Sequence, residues 1–363
     1  MSNPPSKYQD EFQQLLNHLP DWLSGAGEHG GIVISSRIRL ARNLSGYFFP
    51  NRATVEDLEQ IIEKITLILE HLPFFQQAYY FQKNALSKDE RTFLMERDLV
   101  SSSWLKQDLP ASAVVISANE NVGVMINEED HLRIQVLQAG LQIESCWEMM
   151  RTLDDELSAE LDFSFSDQFG YLTACPTNTG TGMRVSVAVD LVGLGLKGNL
   201  EQVLKEEFSK EFTVRGFHGE GTAGIGSIYQ ISNQLTLGRT EEGIIKKFSA
   251  RAQELVEMEI SARNELYRTR PKVIEDKIYR AGALLSSAKI MDASEAINLL
   301  SFLRMGEDMN LINQFSIKLL NELMLNIQPA HLQQNLKHLM NSGDMDIEER
   351  PDFIRKKLKI GVE

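Results

Sequence analysis

The chain has 363 residues and a formal net charge of −14, with 42% hydrophobic and 24% charged residues. These proportions are typical of a folded protein and exclude the disordered and fibrous classes. The acidic charge argues against nucleic acid as a direct partner, because phosphate backbones bind basic surfaces. The sequence has no run of about 18 apolar residues and no basic start followed by an apolar stretch, so we expect neither a membrane partner nor a secretory leader. Two cysteines are too few for a disulfide framework, which favours a cytoplasmic protein.

Strands and helices are mixed in the first two thirds of the chain. Apolar residues at three- and four-residue spacing, after acidic residues, predict an amphipathic helix over residues 54–72. Alternating apolar residues on both sides of a turn at Glu120 predict a hairpin over residues 113–127. Further strands are predicted over residues 31–40, 132–138, 212–217 and 227–237, and a further helix over residues 143–161.

The pattern changes after Thr240. A stripe of apolar residues predicts one long helix over residues 240–266, and the remaining sequence is typical of helices, with no further strand pattern. We therefore predict an α+β fold in three parts. An N-terminal helical extension covers residues 1–23, a mixed domain covers residues 24–255, and an all-α domain covers residues 256–363.

Arginines are placed in a few unusual segments. In the segment SSRIR, Arg37 and Arg39 lie two residues apart on a predicted strand, so their side chains point to the same face. Two neighbouring guanidinium groups repel each other unless an anion lies between them. Arg133, Arg184 and Arg215 each adjoin another such segment, and arginine binds phosphate oxygens through a rigid fork of donors. Each arginine alone is compatible with an ordinary surface position, but the set favours a triphosphate site.

Two further segments can carry chemistry. The segment NEEDHLRI holds three consecutive acids, which is typical either of a solvated loop or of a site. The segment ACPTNTGTGMRVSV places Cys175 nine residues before Arg184. A thiol near a fixed cation has a lowered pKa and is more reactive, although a buried, inert thiol is the alternative. The spacing of His and Cys residues predicts no metal site.

Five segments resemble the signature segments of the phosphagen (guanidino) kinases, in the order found in that family. They read SSRIRLARN, NEEDHLRI, GYLTACPTNTGTGMRVSV, VRGFHGEGT and YQISNQLTLGRTEE, and they span residues 35–242. The resemblance implies a catalytic domain with an antiparallel sheet flanked by helices, and ATP with Mg²⁺ as the phosphoryl donor. It implies ATP-binding roles for Ser36, Arg37, Arg39, His131, Arg133, Arg184 and Arg215. It also implies catalytic roles for Glu129 and Glu220, which would clamp the guanidinium substrate, and for the reactive Cys175.

Phosphorylation of a guanidinium group requires a difficult proton transfer. A carboxylate with a pKa near 4 is a weak base toward a group whose pKa exceeds about 12, and the difference corresponds to roughly 12 kcal/mol. The proton must therefore leave as the phosphoryl group arrives. We expect Glu129 and Glu220 mainly to orient one nitrogen toward the γ-phosphorus, with one of them accepting the proton late. Cys175 would place negative charge near a nitrogen that does not react, and the arginines and Mg²⁺ would stabilise the transferred group.

The lengths of the flanking regions resemble one branch of the family. Only 34 residues precede Ser35, whereas about 120 residues follow LGRTEE. This arrangement is similar to the bacterial protein-arginine kinases, in which an open cleft admits arginine side chains of proteins. The resemblance implies arginine-containing protein substrates, a zinc-binding activator protein, a Clp-type unfoldase-protease that receives the modified proteins during stress, and a homodimer formed through the C-terminal helices. Two alternatives stay open: a kinase of free arginine or another small guanidino compound, and a non-enzymatic adaptor that binds arginine or phosphoarginine.

Overall fold

The computed structural model describes residues 7–198, 200–208, 212–216, 227–336 and 346–358. The helices are α1 (Gln9–Asn17), α2 (Val55–His71), α3 (Lys88–Glu96), α4 (Ser102–Lys106), α5 (Ile143–Glu160), α6 (Val192–Lys197), α7 (Leu200–Val203), α8 (Glu241–Thr269), α9 (Pro271–Ser287), α10 (Ala293–Asp308), α11 (Ile317–Asn326), α12 (Pro329–Asn335) and α13 (Asp346–Leu358). The strands are β1 (Val33–Arg42), β2 (Tyr79–Gln82), β3 (Ala113–Ile116), β4 (Val122–Ile126), β5 (Leu132–Ala139), β6 (Phe165–Ser166), β7 (Gly170–Tyr171), β8 (Met183–Asp190), β9 (Phe212–Gly216) and β10 (Ile228–Asn233).

Local hydrogen bonds fix the first turns of α2 and α3. The hydroxyl of Thr54 accepts a hydrogen bond from Asp57 N–H, and the Asp57 carboxylate accepts one from Thr54 N–H. Ser87 and Glu90 form the same capping box at α3. Such boxes satisfy N–H groups that have no partner inside the helix, so these polar residues define where the helices begin.

Eight strands form one sheet in the order β2-β3-β4-β5-β1-β8-β10-β9, and each neighbouring pair is antiparallel. The central strand β1 pairs with β5 on one side and with β8 on the other. The predicted hairpin over residues 113–127 is formed by β3 and β4. The predicted α+β fold with an antiparallel sheet is confirmed.

One face of the sheet is covered by α2, α5 and α8. Ile38 and Leu40 of β1 and Val185 of β8 point into this core, together with Ile65 of α2 and Leu153 of α5, and all five side chains are fully buried. Burial of one such aliphatic side chain contributes roughly 1.5–3 kcal/mol relative to exposure. This layer therefore holds the strands that carry the predicted site residues in a fixed register.

The opposite face is covered only in part. Leu137 and Ala188 pack against the C-terminal helices α9, α10, α11 and α13. At the other edge of the sheet, Phe81 and Val114 pack against α1 and α3. Arg37 lies opposite Leu137 and thus on the same face, in an area between these two packed regions. That area forms a cleft.

Residues 241–336 and 346–358 contain helices but no strands, as predicted. The helix α8 continues without a break through residue 255, where the domain boundary is predicted. Ala262 of α8 still belongs to the core beneath the sheet, whereas Ile274 of α9 belongs to the C-terminal core. Among the described residues, no helix combines the length and the apolar character needed to cross a membrane.

Candidate active site

A cleft of about 400 Å³ opens on the sheet face that carries Arg37. Its floor is formed by β1, β4, β5, β8, β9 and β10, and its walls include the segments 95–103, 128–130 and 175–178. The predicted site residues that line it are Arg37, Arg39, Glu129, Arg133, Cys175, Arg184 and Arg215. The structure thus brings together residues that are up to 178 positions apart in the sequence, from Arg37 to Arg215.

The strand register explains why the arginines converge. Residues that lie opposite each other in an antiparallel sheet share a face. Arg39 of β1 lies opposite Arg184 of β8, and Arg133 of β5 lies opposite Ala41, two residues along β1. Arg215 of β9 lies on the same face, because β9 pairs with β10 and β10 pairs in turn with β8. Four strands therefore direct cationic side chains into one cleft.

Arg39 lies at the centre of this positive charge. Burial lowers the pKa of Arg39 well below its ordinary value, and the charges of Arg37, Arg133 and Arg184 lower it further. Its Nε is buried and has no hydrogen-bond partner among the described residues. A buried donor without an acceptor costs about 1–3 kcal/mol. An anion with several oxygens, such as a triphosphate, supplies both an acceptor and a countercharge.

Two of the arginines have carboxylate partners inside the cleft. Arg37 forms an ion pair with Asp98 at 2.9 Å, and Arg133 donates to both carboxylate oxygens of Glu128 at 3.0 and 3.1 Å. Burial acts to raise the pKa of Glu128, but the charge of Arg133 and a hydrogen bond from Ser101 outweigh burial, so this pKa is lowered. Glu128 is therefore an ionised partner of the arginine cluster.

Glu129 differs from the two neighbouring acids, Glu128 and Asp130, whose carboxylates accept hydrogen bonds. Within the described part of the chain, no hydrogen bond or ion pair reaches its side chain. Burial and the charge of Glu128 raise the pKa of Glu129, while Arg133, Arg184 and Arg39 act in the opposite direction. A partly buried carboxylate next to the cationic cluster is suited to bind a further guanidinium group, because charge-assisted hydrogen bonds of this type are strong.

Asp130 connects the acidic loop to the loop that carries Cys175. One of its carboxylate oxygens accepts hydrogen bonds from Asn43 Nδ2 and from Ala174 N–H, both at 2.6 Å. Burial raises the pKa of Asp130 to about 6. The Sγ atom of Cys175 lies 3.1 Å from the hydroxyl of Thr177. Asp130 therefore fixes the backbone next to Cys175 relative to the acidic loop.

Arg184 is influenced by two of the three candidate catalytic groups, Cys175 and Glu129. Burial lowers the pKa of Arg184, and the charges of Arg215 and Arg133 lower it further, whereas Cys175 and Glu129 raise it. Cys175 and Arg184 thus lie within electrostatic range of each other in one cleft.

Ser36 does not line the cleft. Its hydroxyl donates to the Gly140 carbonyl at 2.8 Å and accepts from Gln142 N–H at 3.0 Å, next to the start of α5. Side chains alternate along a strand, so Ser36 points to the face opposite that of Arg37. The Ser36 hydroxyl therefore stabilises the connection to α5, and the role of Ser36 in ATP binding stays a prediction. Glu220 lies outside the described residues.

His131 also lies away from the cleft. Its Nδ1 accepts a hydrogen bond from Leu44 N–H at 3.0 Å, and its Nε2 donates to the Phe48 carbonyl at 2.9 Å. Burial lowers the pKa of His131 to about 4, so the ring is neutral at pH 7. A buried, neutral ring with both nitrogens committed to backbone groups supports the segment 44–48, and the role of His131 in ATP binding stays a prediction.

Several polar residues of the cleft were not predicted. Asp98 and Ser101 follow α3, a helix that the sequence pattern did not reveal, and Asp98 adopts a left-handed backbone conformation with φ of 57°. No short motif marks them. Thr177 has a visible signal, because a hydroxyl two residues after Cys175 in the segment CPT can reach the thiol.

Two family models match the chain. The model of the ATP:guanido phosphotransferase C-terminal catalytic domain matches residues 60–262, and the model of the protein-arginine kinase McsB C-terminal domain matches residues 271–362. A protein-arginine kinase of Pelotomaculum thermopropionicum is 42% identical over 323 residues, which cover 88% of this chain and 90% of the relative. A protein-arginine kinase of Halothermothrix orenii is 40% identical over 350 residues, which cover 96% and 99%. The crystal structure of a lombricine kinase has the same fold, with a TM-score of 0.56 and 23% identity over 70% of this chain and 79% of that chain.

The arginine-lined cleft on an antiparallel sheet and the match to the catalytic domain show that the chain belongs to the ATP:guanido phosphotransferase family. Within this family it belongs with the protein-arginine kinases, enzymes that transfer a phosphoryl group to arginine. Membership of this family implies that ATP is the phosphoryl donor. The chain is therefore an enzyme, and the alternative of a non-enzymatic adaptor is not supported.

Proposed function

We propose that the arginine cluster holds the phosphates of ATP and that Glu129 binds the guanidinium group of an arginine side chain in a protein substrate. The observation that supports this assignment most strongly is the arrangement of the cleft: five arginines line it together with one carboxylate that has no partner among the described residues. Such a cleft offers opposite charges to the two reactants, the anionic nucleotide and the cationic side chain.

The nucleotide would use the arginines in two ways. Arg39 and Arg184 have no carboxylate at ion-pair distance within the described residues, so they are ready to bind phosphate. Arg37 and Arg133 would exchange Asp98 and Glu128 for phosphate oxygens. Each exchange gives the arginine a new charge-assisted pair, and the buried Glu128 carboxylate keeps its hydrogen bonds from the Ser101 hydroxyl and from Glu129 N–H.

Mg²⁺ would enter with the nucleotide, because it prefers phosphate oxygens and water to cages made only of protein ligands. Within the described residues, no cluster of three or more His, Cys, Asp or Glu side chains is suited to a metal ion. The bound ion would neutralise charge on the β- and γ-phosphates. The protein's own contribution is the arginine cluster, whose guanidinium groups are held in place by the sheet.

Glu129 would orient one guanidinium nitrogen toward the γ-phosphorus. Glu220 is proposed as the second carboxylate on the strength of the family resemblance. Orientation of this kind is worth up to about 7–11 kcal/mol, which compares with the roughly 12 kcal/mol of unfavourable proton transfer. As the nitrogen forms its bond to phosphorus, the bond between phosphorus and the ADP oxygen breaks, and the proton passes to a carboxylate. Cys175 would stabilise the positive charge on the remaining guanidinium nitrogens.

Several cellular features follow as proposals from the kinship with protein-arginine kinases. The enzyme would act in the cytoplasm, where Cys146 and Cys175, both free, stay reduced. It would mark proteins for a Clp-type unfoldase-protease under stress and would be stimulated by a zinc-binding activator protein. The C-terminal helices would form a homodimer and help to bind protein substrates.

The test is incubation of the purified enzyme with ATP, Mg²⁺ and an unfolded arginine-containing protein, followed by mass spectrometry under non-acidic conditions. We expect acid-labile phosphate on arginine side chains, and free arginine offered at the same guanidinium concentration should be modified far more slowly. Equal or faster modification of free arginine would instead identify a small-molecule guanidino kinase.

A further inference from the structure

Four large apolar side chains are exposed next to the loop that carries Cys175. Phe165 and Phe169 belong to the β6–β7 hairpin and are 57% and 45% exposed, and Leu235 and Leu237 follow β10 and are 56% and 54% exposed. We call these four residues the apolar rim. Single exposed apolar residues are common on protein surfaces, but a group of them beside a cleft is typical of a binding surface.

Short contacts tie both parts of the apolar rim to the Cys175 loop. On one side, the ring of Phe165 packs edge-on against Tyr171 with the ring centres 5.2 Å apart, and Tyr171 N–H donates to the Gly180 carbonyl at 2.8 Å. On the other side, the hydroxyl of Thr236, which lies between the two leucines, donates to the Thr177 carbonyl at 3.1 Å. The rim is therefore continuous with the wall of the cleft that holds the thiol.

A target arginine in a polypeptide brings its sequence neighbours to this surface. With its guanidinium group at Glu129 and Cys175, the backbone must pass over the mouth of the cleft. An extended chain advances about 3.3 Å per residue, so two residues on each side of the arginine span roughly 13 Å. The side chains nearest to the target arginine would therefore lie on the surface around the mouth, and the apolar rim adjoins this mouth through the contact of Thr236 with Thr177, a residue that lines the cleft.

We propose that the apolar rim binds apolar side chains next to the target arginine and so selects arginines in unfolded segments. In folded proteins, leucine and phenylalanine side chains are mostly buried, so an arginine flanked by them is accessible mainly when the segment is unfolded. The inference rests on the proposed function and deepens it, because it names the substrate class that the cleft prefers.

The test compares two pentapeptides with a central arginine, one flanked by glycines and one by leucine and phenylalanine. The intact enzyme should phosphorylate the apolar peptide with the higher kcat/KM. Phe165→Ser and Leu235→Ser should each lower kcat/KM for the apolar peptide on the order of tenfold, through KM, and leave the glycine peptide unchanged. Leu67→Ser is the matched control, because Leu67 is also 57% exposed but lies on α2, which covers the face of the sheet opposite the cleft.

The outcomes separate this inference from the proposed function. Failure of the intact enzyme to modify either peptide would count against the proposed function, and fluorescence anisotropy of the labelled peptides would still measure their binding to the rim variants. An equal loss with both peptides, or the same loss in Leu67→Ser, would overturn the role of the rim. The role of the rim would also be overturned if the rim variants kept the preference for the apolar peptide but changed the oligomeric state. The rim would then be a contact between copies of this chain.

Discussion

Arg39 shows most clearly what the cleft is built to hold. Its guanidinium group is buried beside Arg37, Arg133 and Arg184, and its Nε has no acceptor among the described residues. Like charges at close range destabilise a fold, and such arrangements are retained at sites where binding or catalysis requires them. The positive charge of the cleft is thus a functional feature that opposes stability.

Replacing Arg39 should therefore have opposite effects on stability and on binding. Arg39→Gln should raise the free energy of unfolding by about 1 kcal/mol, because the repulsion disappears. It should weaken ATP binding roughly 10- to 100-fold, because a hydrogen bond to a charged group contributes about 1.5–3 kcal/mol. Urea denaturation and isothermal titration calorimetry measure the two quantities. Arg280→Gln is the control, since Arg280 is 72% exposed and lies 3.9 Å from Asp276; a parallel loss of stability and affinity in Arg39→Gln would contradict this account.

At the scale of single residues, the sequence predicted the arginines of the cleft better than the residues that pair with them. The two-residue spacing of Arg37 and Arg39 on a strand is sufficient to place both in the cleft. The same alternation turns Ser36 away, although it belongs to the same motif. Asp98 could not be predicted, because its position depends on how the segment after α3 packs against the sheet.

At the scale of elements, a buried ionic network joins α8 and α10 to the end of β8. Glu259 accepts hydrogen bonds from Gly193 N–H at the start of α6 and from Arg263. Arg263 also donates to the Asp190 carbonyl, and Arg304 of α10 lies 3.4 Å from the Asp190 carboxylate. Asp190 and Arg304 are fully buried. This network fixes the C-terminal helices to the strand that carries Arg184.

Removal of one partner should leave a buried charge without compensation. We expect Arg304→Ala to lower the free energy of unfolding by about 3 kcal/mol or more, measured by urea denaturation. The double variant Arg304→Met with Asp190→Asn should recover much of this loss, because neither charge then remains. The exposed ion pair of Arg280 with Asp276 provides the comparison. Arg280→Ala should lower the free energy of unfolding by less than about 1 kcal/mol. A loss in Arg304→Ala as small as that in Arg280→Ala would show that the network contributes little.

Element prediction succeeded where one side of an element faces a core and the other faces solvent. The predicted helix over residues 54–72 is α2, and its apolar stripe packs beneath the sheet. The strand β8 was not predicted, although Met183, Val185, Val187 and Val189 alternate with small or polar residues, as is typical of a strand. Its residues were recognised only through their likeness to a signature segment.

At the scale of the whole molecule, the C-terminal helices and the cleft share one face of the sheet. Leu137 lies beneath these helices, and Arg37, directly opposite on β1, lies in the cleft. The C-terminal region was predicted as an all-α domain, but its contact with the sheet could not be, since helical periodicity does not reveal the surface on which a helix packs. This contact gives the C-terminal helices a direct structural connection to the strands of the active site.

The central claim is that the cleft joins a phosphate-binding arginine cluster to a carboxylate that orients the target guanidinium group. The most direct measurement compares the intact enzyme with Glu129→Gln, using isothermal titration for ATP and mass spectrometry for the initial rate of phosphoarginine formation on a peptide. We predict unchanged ATP affinity and a rate at least about 100-fold lower, since positioning and proton transfer by one side chain are typically worth that much or more. A rate within a few-fold of that of the intact enzyme, or a loss of ATP affinity that accounts for the whole effect, would contradict the claim.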